Sequence, residues 1–214
     1  MTSVLLNEQT LPARAAVRRS EQSARIGTAF LTCIERRGLR ATSVDDVAVE
    51  AGCARATIYR VIPGGRTGLL VAGVDRSLAA VIDACMVAVA DARSADDAVA
   101  LCLHAAASAL AELGALQRLL AEEPGAILPF LSFEGLAPVL DRVAQWSPEL
   151  FGRFLEPERA RITGEWTARV VLGHLRSPGA PIDLTNLDHC RRLVSTFPIH
   201  ITEACAPAIA AAAH

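Results

Sequence analysis

Residues 42–62, TSVDDVAVEAGCARATIYRVI, decide the fold of this 214-residue chain. Ser43 stands three positions before Asp46, which is the spacing of a capping box and predicts the start of a helix. One apolar side of that helix is marked at i, i+3, i+4 and i+7 by Val44, Val47, Ala48 and Ala51. Gly52 follows at once and favours the left-handed backbone that ends a helix. The first half of the stretch therefore predicts a short amphipathic helix and a tight turn.

The second half predicts another short helix, beginning near Ala54. Ile58 and Ile62 are four positions apart and would hold this helix on the first one. That packing leaves five side chains largely off the buried side: Arg55, Ala56, Thr57, Tyr59 and Arg60. Two short helices joined by a turn with glycine, the second presenting small, hydroxyl and Arg side chains, suit the DNA major groove. The stretch therefore predicts DNA binding.

The flanking segments support this prediction. A helix that Gly38 can end precedes the stretch, and its apolar face comprises Ile26, Ala29, Phe30, Cys33 and Ile34. The turn PGGR follows at residues 63–66, and then an apolar run from 69 to 89 predicts a long helix. Together these positions resemble the N-terminal domain of tetracycline-repressor-like (TetR) transcription regulators. The resemblance covers residues 20–72 and rests on Gly38, Thr42, Val47, Ala48, Ala51, Gly52, Thr57, Ile58, Tyr59, Leu69 and Leu70.

No strand pattern competes with the helical signals along the chain, so we expect an all-α protein with about nine helices, and the resemblance suits this class. An N-terminal three-helix, helix-turn-helix domain would bind a palindromic operator, and a C-terminal helical domain would bind a ligand and form a homodimer through the last two helices. The chain departs from the family at three places. Ala54 stands where the family has a capping Ser or Thr, Val61-Ile62 replace His-Phe, and Arg66 replaces a Lys after a turn that is one residue longer.

Eight side chains are the candidates for DNA contact. Arg55, Ala56 and Thr57 are the candidates for contact with base edges. Phosphate contact is implied by the matching family positions for Thr42, Ser43, Tyr59 and Arg66. Arg60 could serve either role. The charge distribution agrees, since residues 1–66 carry ten Arg against six acidic residues, a net charge of +4, while the whole chain has −2.

The boundaries follow from composition and helix signals. We expect a flexible arm at 1–19, the DNA-binding domain at 20–66, a ligand-binding and dimerisation domain at 67–206, and an Ala-rich tail at 207–214. No run of 18 apolar residues free of charge occurs, and Arg follows rather than precedes the short apolar piece near the start. We therefore expect a cytoplasmic protein without a membrane span.

A mainly apolar pocket is predicted in the C-terminal part. Its candidate lining residues are Phe130, Phe133, Trp146 and Trp166. They cluster near Pro124, Pro129, Pro138 and Pro148, which we expect to break the helices and leave room for a small hydrophobic or amphipathic effector. The alternative is that these aromatic side chains fill a core.

The dimer interface is predicted near the C-terminus. Its apolar stripe comprises Leu187, Leu193, Val194 and Phe197. Such a stripe is too apolar to leave in water on a monomer. The alternative is that it packs inside its own subunit.

Two alternatives to a small-molecule regulator stay open, and the first concerns the cysteines. The six cysteines are at 33, 53, 85, 102, 190 and 205, and no CxxC pair occurs among them. We expect structural thiols and no metal, although the last four could meet in space as a thiol or metal sensor. No catalytic or cofactor motif is present, so neither an enzyme nor a cofactor is expected. A helical lipid-binding protein or enzyme without DNA function stays open as an alternative.

Overall fold

The structure is a computed structural model that describes residues 10–176 and 181–196. Its α-helices are α1 (Thr10–Arg37), α2 (Val44–Glu50), α3 (Arg55–Val61), α4 (Gly65–Val89), α5 (Ala95–Glu112), α6 (Gly114–Glu122), α7 (Pro124–Ile127), α8 (Phe133–Phe151), α9 (Pro157–Arg176) and α10 (Leu187–Thr196). A 3-10 helix spans Leu128–Leu131, and no strand occurs within the described ranges. The predicted all-α class is confirmed.

The chain divides into two compact units. The first comprises residues 1–79 and 113–127, and the second comprises 80–112 and 128–214. The first unit contains the whole predicted DNA-binding domain of 20–66, and also the start of α4 together with α6 and α7. In the described part of the chain no single helix is long and apolar enough to cross a membrane, whereas α5 and α6 taken as a bent pair meet the length and composition limits.

The first unit is built on α1. The predicted apolar face of this helix is buried, from Ile26 and Ile34 at 0% exposure to Cys33 at 6%. Gly38 ends the helix with φ +81°, the left-handed conformation that glycine adopts without steric cost. The helix begins at Thr10, so the second half of the expected flexible arm is helical. Residues 1–9 of that arm lie outside the described part.

The second unit packs α8 along α9, and α5 against α8, α9 and α10. Pro138 and Pro148 lie inside α8, which continues through both. The prediction that these two prolines break the helix is therefore wrong. Breaks do occur further upstream, where α6, α7 and the 3-10 helix succeed one another around Pro124 and Pro129.

The C-terminal apolar stripe has a partner within the same chain. α10 packs against α5, and Val194 on α10 is only 4% exposed. Leu187 and Leu193 are half-buried, while Phe197 lies outside the described residues. Packing within the subunit thus buries part of the stripe, and its role as a dimer interface stays a prediction.

Candidate nucleic-acid interface

The first helix of the motif begins with the predicted capping box. The Asp46 backbone N–H donates to Ser43 Oγ at 3.1 Å, and the Ser43 N–H donates to Asp46 Oδ2 at 3.0 Å. The hydrogen bonds from the Ser43 side chain and backbone, assisted by the charge of Arg37, hold the pKa of Asp46 below its ordinary value. Arg37 at the end of α1 also donates to Asp46 Oδ1 at 2.6 Å. Sequence and local contacts therefore fix where α2 begins and tie it to α1.

The turn and α3 follow the prediction closely. Gly52 has φ +59°, and α3 starts at Arg55 after the N-cap residue Ala54. Ala54 makes no side-chain cap, as expected from the family residue that it replaces. Ile58 is 0% exposed and Ile62 is 5% exposed, so these two side chains anchor α3 on the unit. The helix α3, which stands where a helix-turn-helix has its recognition helix, is thus held mainly by apolar packing.

Most predicted contact residues lie at the surface. Arg55, Ala56 and Arg60 are exposed on α3, Tyr59 is 44% exposed, and Thr57 is half-buried. Ser43 is exposed at the start of α2. Arg66 lies in the first turn of α4, where its guanidinium donates to the Leu39 carbonyl. The turn between α1 and α2 thereby gains a fixed neighbour beside the N-terminus of α4.

Thr42 has a different role from the predicted one. Its side chain is buried at 5% exposure, and its hydroxyl donates to the Gly38 carbonyl at 2.8 Å. A buried hydroxyl that is already hydrogen-bonded inside the unit offers no surface to a phosphate. Thr42 therefore stabilises the turn that follows α1, and the expectation of a direct phosphate contact from its side chain is not met.

Arg55 is held by two neighbours. Its Nη1 lies 2.9 Å from Asp45 Oδ2 and 3.2 Å from Asp45 Oδ1, and its Nη2 donates to the Tyr59 hydroxyl at 3.3 Å. The guanidinium carbon also lies 5.6 Å from the centre of the Tyr59 ring. The hydrogen bond to Tyr59 and the charge of Asp45 raise the pKa of Arg55. Sequence reasoning missed Asp45 as a partner, because ten positions and a turn separate it from Arg55 and no helical spacing links them.

The candidate ligand-binding residues in the second unit are less uniform. Trp166 on α9 and Phe130 in the 3-10 helix are half-buried. Trp146 on α8 is 39% exposed, so its expected place in the wall of an enclosed pocket is not met. The side chain of Phe133 lies outside the described part.

One polar atom of the second unit has no partner in the described part. His104 Nδ1 on α5 is buried and has no hydrogen-bond partner among the described residues.

Three of the described thiols have raised pKa values. Hydrogen bonding to Cys85 and burial raise the pKa of Cys102 well above its ordinary value, and burial raises the pKa of Cys190 to about 11. Burial also raises the pKa of Cys33. The thiolate is the reactive form, and a raised pKa lowers the thiolate fraction of these three groups at neutral pH. Cys205 lies outside the described residues, and no group of three metal-ligating side chains occurs within them.

Comparison with known proteins agrees with this geometry. Residues 28–61, which run from α1 to the end of α3, match the family model described as bacterial regulatory proteins, tetR family. Two uncharacterised HTH-type transcriptional regulators, from two strains of Mycobacterium tuberculosis, are 28% identical over 77% of this chain and 90% of their own length. The crystal structure of the TetR family repressor AlkX from Dietzia sp. has 18% identity and a TM-score of 0.66, covering 84% of this chain and 96% of that chain.

The fold and the exposed recognition helix define a DNA-binding, helix-turn-helix regulator of transcription. Its helix-turn-helix segment matches the tetR family model, and the curated relatives to which it is similar are HTH-type transcriptional regulators. The likeness to the Dietzia repressor concerns the fold alone, since the identity between the two chains is low.

Proposed function

We propose that the chain is a ligand-responsive repressor that binds a palindromic operator as a homodimer and is released by a small, mainly apolar effector. One observation carries the DNA part of this proposal. The only fully buried side chain of α3 is Ile58, while Arg55, Ala56 and Arg60 are exposed on the same short helix. A helix anchored in this way can enter a major groove without losing its support.

The exposed residues divide by chemistry. Arg55 is the candidate for a guanine edge, because its planar fork of N–H donors matches the O6 and N7 acceptors. Ala56 and Thr57 are small enough to let α3 approach the bases closely. Tyr59, Ser43 and Arg66 are the candidates for phosphate contact, and Arg60 serves either role. Thr42 contributes by holding the turn before α2.

Replacing Arg55 with Ala is expected to weaken sequence preference. A bidentate contact to guanine contributes about 1–3 kcal/mol of discrimination, whereas Tyr59→Phe removes a hydroxyl that bonds phosphate and carries no base information. The test compares binding to a duplex selected from a randomised library by the parent protein and to a scrambled duplex. Arg55→Ala should lower the affinity ratio, and Tyr59→Phe should lower both affinities alike. Parent-like binding of both variants would contradict the proposed position of α3 in the groove.

The homodimer is proposed to form through α8 and α9 rather than α10. Trp146 on α8 is 39% exposed and Ile162 on α9 is 60% exposed. Ile162, Trp166 and Val170 are four positions apart, so they follow one side of α9. Exposed large apolar side chains on adjacent helices are typical of a surface that another chain covers. A two-fold dimer would supply the second DNA-binding unit that a palindromic operator requires.

Ile162→Arg is expected to convert the dimer into monomer at micromolar concentration. A charge placed in an apolar interface is desolvated without a partner, and this cost opposes association. Sedimentation measures the result, with Val87→Arg as the control because Val87 is also apolar and 77% exposed but lies on α4. A parent protein that sediments as a monomer, or an Ile162→Arg variant that stays dimeric, would rule out this interface.

The effector is proposed to bind in the second unit, near α5. The unpartnered Nδ1 of His104 supports this, because a buried polar atom without a hydrogen bond is costly and suits a ligand that carries one polar group. Such a ligand would be otherwise apolar, since the neighbouring α5 residues Ala100, Leu103 and Ala107 are buried and apolar.

Effector binding is expected to change tryptophan fluorescence and to release DNA. The chain has two tryptophans, Trp146 and Trp166, and both lie in the second unit. A panel of fatty acids, acyl compounds and alkanes would be titrated into the protein–duplex complex. His104→Leu, which keeps the volume and removes the polar atom, should weaken binding of amphipathic members by about 5- to 10-fold and leave purely apolar ones unaffected. Fluorescence changes without release of DNA would contradict effector control.

A further inference from the structure

We propose that Asp45 is a positioning residue that holds the Arg55 guanidinium in the orientation in which it contacts guanine. This inference rests on the proposed base-reading role of Arg55. Both Asp45 oxygens lie within 3.2 Å of Arg55 Nη1, and no other acidic side chain in the described residues pairs with this guanidinium. The Tyr59 hydroxyl, at 3.3 Å from Nη2, is a longer and uncharged second contact.

The geometry leaves donors free for a base. A guanidinium has five N–H donors, and the contacts to Asp45 and Tyr59 engage Nη1 and part of Nη2. Nε makes no hydrogen bond within the described residues, and the Tyr59 hydroxyl takes only one of the two N–H groups of Nη2. These two nitrogens form one edge of the fork, and a fork edge can meet the O6 and N7 atoms of guanine. Asp45 can therefore remain bonded to Arg55 while Arg55 contacts DNA.

The benefit of such a contact is a reduced loss of conformational freedom. Arg55 is a long side chain that is 56% exposed, and the side chain of its partner Asp45 is 66% exposed. An unrestrained Arg must give up rotamer entropy when it binds a base, and a side chain that is already oriented gives up less. Asp45 in the first turn of α2 is in turn fixed by its own helix, which starts at the Ser43 cap. The restraint thus passes from α2 to the recognition helix.

Two other roles for Asp45 lead to different results. As a helix-stabilising acid in the first turn of α2, Asp45 would affect folding and binding to all duplexes alike. As a competitor of DNA for Arg55, Asp45 would have to be displaced on binding, so its removal would strengthen binding to the guanine site. A positioning role predicts the opposite change, which is a weaker preference for guanine without a loss of fold.

The experiment replaces each guanine of the selected duplex in turn with 7-deazaguanine, which lacks only the N7 acceptor. The guanine that Arg55 contacts is the one at which 7-deazaguanine weakens binding of the parent but not of Arg55→Ala. At that position the parent should lose affinity by about 5- to 150-fold. In Asp45→Ala that loss should be smaller by about two- to fivefold, because an exposed ion pair contributes on this scale. In Asp45→Asn the loss should lie between the losses of Asp45→Ala and of the parent.

The charge-matched control is Glu50→Gln. Glu50 is also on α2 but pairs with Arg36 at 2.9 Å, so its loss changes the charge of the unit equally without contacting Arg55. In the Arg55→Ala background, Asp45→Ala should cause no further change in guanine preference. Thermal unfolding of each variant separates a folding effect from a change in preference.

Each remaining outcome counts against the inference. If Arg55→Ala leaves guanine preference unchanged, the base-reading role itself is wrong, and the inference is wrong with it. If Arg55→Ala lowers preference but Asp45→Ala matches Glu50→Gln, only the positioning role is wrong. Stronger binding of Asp45→Ala to the guanine site would identify a competitor instead.

Discussion

Ile58→Ala is expected to lower the free energy of unfolding by about 2–5 kcal/mol and to abolish operator binding. Ile58 is 0% exposed and is the only fully buried residue of α3. Its truncation removes apolar contact area and leaves a cavity between α3 and the rest of the unit. A seven-residue helix is not stable alone in water, so α3 would lose its fixed orientation. Urea unfolding, hydrogen exchange of the α3 amides and duplex titration measure the three effects.

Val49→Ala is the control for this substitution. Val49 lies on the neighbouring helix α2 but is 83% exposed, so truncation should change stability by less than about 0.5 kcal/mol. An Ile58→Ala protein that unfolds like the parent would show that α3 is held by contacts other than this side chain. A destabilised variant that retains full operator affinity would show that α3 does not need its anchor to bind DNA.

Much of the DNA-binding unit could be predicted from sequence because its signals are local. The capping box at Ser43 and Asp46, the left-handed turn at Gly52 and the apolar spacing of Ile58 and Ile62 each act within a few residues. A side chain and its partner three or four positions away are neighbours in any helix, whatever the rest of the chain does. The bounds of α2 and α3 and the buried face of α1 therefore follow the pattern closely, whereas α1 begins at Thr10, earlier than predicted.

The contacts that the sequence did not predict are those made between elements. Thr42 matches a family position, yet its exposure depends on how the turn after Gly38 folds back, and the structure buries it. The Asp45–Arg55 pair joins two helices across a turn, so no periodic pattern contains it. Periodicity identifies which side of a helix faces inward, but it does not identify which polar groups on the outer sides meet.

The second unit departs further from prediction for a related reason. Pro138 and Pro148 each remove one backbone N–H donor from α8, which by local rules should end or kink the helix. The extended packing of α8 on α9 offsets that loss. Tertiary packing likewise buries Val194 on α10, a helix that packs against α5. An apolar stripe alone does not show whether its partner is an element of the same subunit or another subunit.

The close approach of α8 and α9 leads to the second large effect, at Gly164. A Cβ atom at this position would overlap Ser147 Oγ and lie 2.7 Å from Ser147 Cβ. Ser147 is itself 0% exposed, and Thr163 and Thr167 on α9 are also buried, so the side chain has no room to move away. Gly164→Ala is therefore expected to lower the free energy of unfolding by about 1–3 kcal/mol through overpacking, despite the higher helix propensity of alanine. Thermal and urea unfolding of the full chain measure it.

Gly173→Ala is the matched control, because Gly173 lies on the same helix and a Cβ there would meet nothing within 4 Å. With no collision, the helix propensity of alanine should stabilise the protein by up to about 1 kcal/mol. Ser147→Gly removes both atoms that the new Cβ would strike, so it should restore part of the stability lost in Gly164→Ala. A double-mutant cycle would then give a coupling energy of at least about 1 kcal/mol. If Gly164→Ala and Gly173→Ala stabilise the protein equally, α8 and α9 do not approach each other as closely as the structure places them.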